Sequence, residues 1–245
     1  MDKVTLAAVV HGESGAGKSF FGGTTPIPRL ILDAEGGSRY VKAHRVSGKV
    51  KKWNPLVEAP PEWDGTWDAC VVSTLEWKTL AAAYQWLNNG DHPFRTVIVD
   101  SLTEAQKRII DDVAGTDQPT LQDWGTIGRH FEDMIRRFRD LTFHDTNPVE
   151  CMLLLCLSHL RDGEVRPFLK GQIELNLPAF VDVVGYLYAD NQQGEIVRRM
   201  LIEPANNIIA KDRTGALVEH YGSVITDANF ESWLEILNKE FGSDQ

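Results

Sequence analysis

The sequence predicts an α/β fold, with a mainly parallel central sheet flanked by helices and an antiparallel extension at the C-terminus. Three observations predict it. Apolar runs alternate with helical periodicities in the order strand, helix, strand. Those runs are apolar throughout, as in strands covered on both faces. Beyond residue 183 the pattern turns β-rich, and Asn191 to Gly194 is a hairpin signal between two such runs.

The elements follow in order. Val4 to Val10 reads as a buried strand, and a Gly-rich turn follows it. The next helix must be short, because Gly22-Gly23 and then Pro26 and Pro28 interrupt it. Leu30 to Asp33 is a second strand. Residues 39 to 66 are basic first, then rich in Pro and Trp, and read as an excursion. Ala69 to Val72 is a third strand. Ser73-x-x-Glu76 reads as a capping box for a helix with Trp77, Leu80, Ala81, Tyr84 and Leu87 on one face, closed by Asn89-Gly90. Thr96 to Asp100 is a fourth strand, with Ser101-x-x-Glu104 capping the next helix. A long helix from about Leu121 to Phe143 carries Leu121, Trp124, Ile127, Phe131, Met134, Ile135, Phe138 and Leu141 as its apolar stripe. Cys151 to Leu157 is a fifth, deeply buried strand. Val183 to Ala189 and Glu195 to Glu203 form the hairpin, Ile208 to Lys211 begins another strand, and Phe230 to Phe241 is a last helix.

The 245 residues fit a single domain, with a core over about 4–190 and the antiparallel extension and final helix over about 183–245. With 42% hydrophobic residues the chain can bury a core. Its formal charge of -10 argues against broad electrostatic coating of nucleic acid, though not against a local basic groove. The longest apolar run is far too short for a membrane span, and the N-terminus is too short for a signal peptide. Three cysteines without CxxC spacing argue against a disulfide framework and a cysteine zinc site, so a reducing cytoplasm is expected.

Gly12-Glu13-Ser14-Gly15-Ala16-Gly17-Lys18-Ser19 matches GxxxxGK[ST] in full, directly after an apolar strand, with Phe20 next in the site. Glycines let consecutive N–H groups turn inward on phosphate oxygens, Lys18 charges the β/γ-phosphates, and the Ser19 hydroxyl suits Mg²⁺. The following helix N-terminus adds partial positive charge. Val97-Ile98-Val99-Asp100 is an apolar strand ending in a carboxylate, which suits the same Mg²⁺ from beside the first strand. ATP and Mg²⁺ are the expected ligands.

The order of these segments resembles the RecA-type P-loop core, and among its members the phage Sak-type single-strand annealing ATPases. The resemblance spans about residues 4 to 225. It implies several roles. LILDAEGGSRY at 30–40 is similar to the strand that ends in the catalytic glutamate, so Glu35 would activate the attacking water, beside Lys18. MLLLCLSH at 152–159 is similar to the strand that ends in a γ-phosphate sensor. The family member compared has Gln there, where this chain has Ser158-His159, and His159 is the candidate. IIAKDRTGAL at 208–217 resembles the stretch that sends two basic residues into a neighbour's site, here Lys211 and Arg213. Tyr40 and Tyr221 are candidate faces for adenine. The N-terminal polymerisation arm of full-length recombinases has no counterpart before the first strand.

The resemblance also places DNA on loops near Ala114 to Asp123 and Leu160 to Leu177. The second holds Arg161, Arg166, Phe168 and Lys170, cations interleaved with an aromatic. Arg129, Arg136 and Arg139 on the long helix, and the run Lys42 to Lys52, are further basic patches. The function so implied is ATP-dependent single-strand annealing or recombination by an ATP-bridged homo-oligomer, a ring or filament. Single-stranded DNA is its partner, with a single-strand-binding protein as a further candidate, in the cytoplasm of a bacterial host. The alternatives are a motor or switch ATPase acting on a protein, and a small-molecule kinase, for which an arginine-rich lid is wanting.

Overall fold

The computed structural model describes residues 3–37, 49–192, 194–205 and 207–242. The carboxylate and phosphate-loop strands are β1 (Leu6–Gly12), β2 (Arg29–Asp33), β4 (Ala69–Ser73), β5 (Thr96–Asp100) and β6 (Cys151–Arg161). The edge strand β3 is Val50–Lys52. Beyond β6 lie β7 (Glu164–Pro167), β8 (Val183–Gln192), β9 (Glu195–Leu201), β10 (Lys211–Asp212) and β11 (Val224–Thr226). The helices are α1 (Lys18–Gly22), α2 (Trp77–Asn88), α3 (Leu102–Ala114), α4 (Leu121–Asp140), α5 (Ile173–Phe180), α6 (Ala216–Tyr221) and α7 (Phe230–Phe241).

One sheet runs in the order β11-β9-β8-β1-β6-β5-β2-β4-β3, with β10 on β8 and β7 on β6. From β8 to β3 neighbouring strands are parallel, and β9 and β11 pair antiparallel. Helices cover both faces. On one, α2, α3 and α4 pack Leu80, Ile109, Phe131 and Phe138 over Val9, Leu32, Val99 and Leu154. On the other, Phe21 of α1 meets Phe230 and Trp233 of α7, with ring centroids 5.9 and 5.1 Å away. Burial on both sides is why the strands are continuous apolar runs. It also brings Gly12, Asp33 and Asp100 to the same carboxyl edge of the sheet.

Several expectations are corrected. β6 lies between β1 and β5, so Asp100 is not on the strand beside the phosphate loop but one strand further. Ser73 ends β4, paired with Asp33, and the N-cap of α2 is Glu76 without a side-chain cap, so Ser73-x-x-Glu76 is no capping box. A capping box does open α4, where Thr120 and Asp123 bond reciprocally. The stripe of α4 begins late, since Leu121 is 94% exposed and Ile127 is the first buried position. The expected loop from 160 to 177 is instead structured. β6 runs on to Arg161 and turns at Asp162-Gly163 (φ 51° and 80°) into β7, and α5 follows. The adenine candidate Tyr40 and the first part of the basic run, residues 42–48, lie outside the described residues, while Lys51 and Lys52 sit exposed on β3. Cys70, Cys151 and Cys156 are buried free thiols. No helix among the described residues is long and apolar enough to cross a membrane.

Candidate active site

The phosphate loop joins the end of β1 to α1. A Cβ on Gly12 would sit 2.2 Å from the Leu187 carbonyl oxygen of β8, so only glycine fits there. Gly15 and Gly17 take φ of 83° and 108°, a region that favours glycine. Helix α1 has only five residues, so the amides of the loop, rather than a long helix dipole, define this pocket. Lys18 curls back over the loop, and its Nζ donates to Gly12 O at 2.9 Å and Glu13 O at 2.8 Å. Burial pulls its ammonium below the usual lysine range, against the opposing pull of Asp100 and Glu35.

Ser19, one residue on, donates its hydroxyl to Asp100 Oδ2 at 2.9 Å. This joins the loop to β5 across the intervening strand. Burial pushes the Asp100 carboxyl up to about 6, with Glu35 and Asp33 adding repulsion and the Ser19 hydrogen bond and Lys18 opposing it. A hydroxyl and a carboxylate oxygen, short of cationic partners, are hard oxygen donors suited to Mg²⁺. The described residues hold no cluster of three or more His, Cys, Asp or Glu side chains that could cage a metal. Mg²⁺ takes few protein ligands and keeps waters and phosphate oxygens, so the residues fit it.

Glu35 is aimed by the turn after β2. The buried Asp33 carboxylate accepts from the amides of Glu35, Gly36 and Gly37 at 3.2, 2.8 and 3.2 Å. Glu35 itself is exposed, and its Oε1 accepts from the buried Ser101 hydroxyl at 2.5 Å. Ser14, Gly15, Lys18, Ser19, Glu35 and Asp100 thus line one cleft of about 390 Å³, together with Phe20, Leu157 and Arg198. Arg198 was not among the sequence candidates. It arrives from β9, more than 170 residues downstream, and no local pattern marks it.

The remaining candidates sit elsewhere. Ser158 and His159 do not line the cleft, where Leu157 takes that position. His11 Nε2 lies 2.7 Å from the Ile209 carbonyl, which can only accept, so that nitrogen carries the proton. Its Nδ1 then accepts from Ser158 Oγ at 2.8 Å. Burial pushes this imidazole down to about 4, so it is neutral at pH 7. His159 bonds the Glu174 carboxylate at 2.8 Å and stacks on Phe168, centroids 4.7 Å apart. Glu174 is buried and also accepts from Arg161 at 2.8 Å, with Arg166 beside it at 3.6 Å and paired to Glu164. Lys170 lies over the Trp124 ring at 5.8 Å. Lys211 donates to Pro178 O at 2.5 Å and Val181 O at 2.7 Å, at the C-terminal end of α5. Arg213 bonds Asp182 at 3.2 Å and Ala179 O at 2.8 Å. On α4, Arg136 pairs with Glu132 and Arg139 with Asp140. Tyr221 packs beside α7 and is not in the cleft.

The sequence matches the AAA domain family over residues 5–214. The chain belongs to this family. It is a P-loop ATPase of the AAA type. No curated protein matches it. Among solved structures it is similar to an ATPase from the type III secretion system of pathogenic bacteria, at 12% identity and a TM-score of 0.52. That likeness is one of fold. It covers 89% of this chain but 59% of the other, so the chain spans about three fifths of that ATPase. It is also similar to a KaiC-like protein from the hyperthermophilic archaea Pyrococcus horikoshii OT3, at 12% identity and a TM-score of 0.42, over 80% of this chain and 78% of that one.

Proposed function

We propose that the chain hydrolyses ATP with Mg²⁺ and couples that turnover to single-stranded DNA within an ATP-bridged homo-oligomer. The observation that carries the hydrolytic part is the pair of hydrogen bonds Ser19–Asp100 and Ser101–Glu35 on one cleft. The first presets two oxygen donors for the metal. The second holds a carboxylate that accepts the proton of the attacking water. Lys18 exchanges its loop carbonyls for β/γ-phosphate oxygens. Bound Mg²⁺ supplies charge neutralisation on those oxygens.

The DNA part rests on the resemblance in element order and on the β6–β7 hairpin. That hairpin continues the strand whose Leu157 lines the cleft, and it exposes Leu160 next to Arg161, with part-exposed Phe168 just after β7 and stacked on His159. Glu174 holds Arg161 in the described state, so a DNA phosphate would compete with a carboxylate for it. Trans roles for Lys211 and Arg213 likewise require them to leave the end of α5.

Filter capture of a labelled single-stranded oligonucleotide tests the coupling. ATP should raise capture, and Glu35→Gln should keep capture while phosphate release falls by roughly 10²- to 10⁴-fold. Capture indifferent to ATP removes the DNA reading. Normal phosphate release by Glu35→Gln removes Glu35 from the chemistry.

A further inference from the structure

We propose that Arg198 is a nucleotide-binding residue supplied in cis, holding the α/β-phosphate end shared by ADP and ATP. The proposal rests on the nucleotide reading of the phosphate loop. β8 runs past Gly12 and returns as β9, with Arg198 paired opposite Ala189. This return path lays the Arg198 side chain along the loop. A Cβ on Gly17 would lie 2.6 Å from Arg198 Nε and 2.8 Å from its Cδ. The guanidinium stands 5.7 Å from the centroid of the Phe20 ring, itself 53% exposed. The aromatic face steadies the cation without using its N–H groups.

Arg198 Nε is buried and has no hydrogen-bond partner. A buried donor without a partner is costly, and a ligand oxygen relieves that cost. Among the described residues other buried side-chain atoms lack partners too, but Arg198 is the one of that group that lines the phosphate cleft. Three arginines of α4 and the two of the β6–β7 hairpin contrast with it, since Arg136, Arg137, Arg139, Arg161 and Arg166 each pair with a carboxylate. Lys18 and Arg198 together only balance Glu35 and Asp100 in the cleft lining. A polyphosphate therefore needs both cations, and a guanidinium fork matches phosphate oxygens bidentately.

Position decides which phosphate. Lys18, Ser19, Asp100 and Glu35 serve the γ end, where metal and water belong. Arg198 touches Gly17 and Phe20, and the amides of that stretch cradle the α/β-phosphates. An interaction made there is equally present with ADP and ATP, so it governs affinity more than the chemical step.

Calorimetric titration of Mg-ADP and of a nonhydrolysable Mg-ATP mimic into the full chain tests this. Arg198→Met should weaken both by roughly 10- to 100-fold, by the same factor, with Arg198→Lys recovering part. KM for ATP should rise by more than kcat falls. The thermal midpoint of the ligand-free Arg198→Met protein should not drop, because the wild-type donor is unsatisfied. Unchanged ADP affinity, or weakening confined to the ATP mimic, overturns the proposal. Wild-type protein that binds neither ligand overturns the nucleotide reading as well, which separates the two failures.

Discussion

The phosphate cleft and the β6–β7 hairpin both gather charge, and they treat it in opposite ways. In the cleft the charged groups are under-committed. Lys18 rests on carbonyls of its own loop, Asp100 is half-buried with a hydroxyl as its partner, and Arg198 Nε has no partner. At the hairpin the arginines are spent. Buried Glu174 takes His159 and Arg161, with Arg166 at its edge and on Glu164. Open valences mark the first region as a place for a ligand of opposite charge. Closed ones tie α5 to the hairpin in the second, where a phosphate would have to displace Glu174 to reach Arg161. The sequence composition of the two regions does not separate them, since each is a mix of acids and bases.

The strongest way to break the comparison is Glu174→Gln. Removing the charge of the buried carboxylate takes from Arg161 its buried partner and from Arg166 its second one, and the protein should lose about 3 kcal/mol in chemical denaturation. A loss below about 1 kcal/mol would mean the hairpin cations are solvated, as in a free basic surface. The same variant should bind single-stranded DNA more tightly if Arg161 is the contact, which sharpens the functional reading.

Next in size is the pH response of His11. Its folded value, about 4, lies below the unfolded 6.5, so the unfolded chain binds the extra proton. Its contribution is therefore whole above pH 6.5 and is lost as pH falls toward 4, on the order of 3 kcal/mol. His92, also pushed down to about 4 by burial, acts in the same direction, and Asp100, pushed up to about 6, acts in the opposite one. Both remain in His11→Gln, so the difference between the two stability–pH curves isolates His11. Parallel curves would contradict a neutral buried imidazole.

The smallest effect is expected at Arg213, whose side chain is 53% exposed. Arg213→Ala should change stability by less than about 1 kcal/mol, because a solvated ion pair contributes little. A turnover loss of roughly tenfold with stability intact would instead place it in a neighbour's site. Dominant inhibition on mixing with wild type would support the same conclusion.

The sheet and the phosphate end were legible because each rests on a local signal. Continuous apolar runs give buried parallel strands, and GxxxxGKS with a strand before it leaves little freedom. Asp100 and Glu35 were legible as carboxylates at strand ends. The turn at Asp162-Gly163 carries a local signal too, a hairpin dipeptide inside the stretch that the resemblance assigns to a loop. Helix α5 was hidden because Pro178 sits inside it and Gly171 precedes it. Arg198 and the His11–Ser158–Ile209 chain of hydrogen bonds were not legible, because strand order alone brings these residues together. The stripe of α4 was overextended for a related reason. Periodicity reports which face is apolar, not how far the neighbouring helix covers it.

The central claim is that the loop from Gly12 to Ser19 binds the phosphates of ATP. Calorimetric titration of Mg-ATP into the wild-type chain and into Lys18→Ala tests it most directly. The account predicts one nucleotide per chain for wild type and at least a roughly 100-fold weaker interaction for the variant. Equal affinity in the two proteins, or no heat of binding in the wild type, would contradict it.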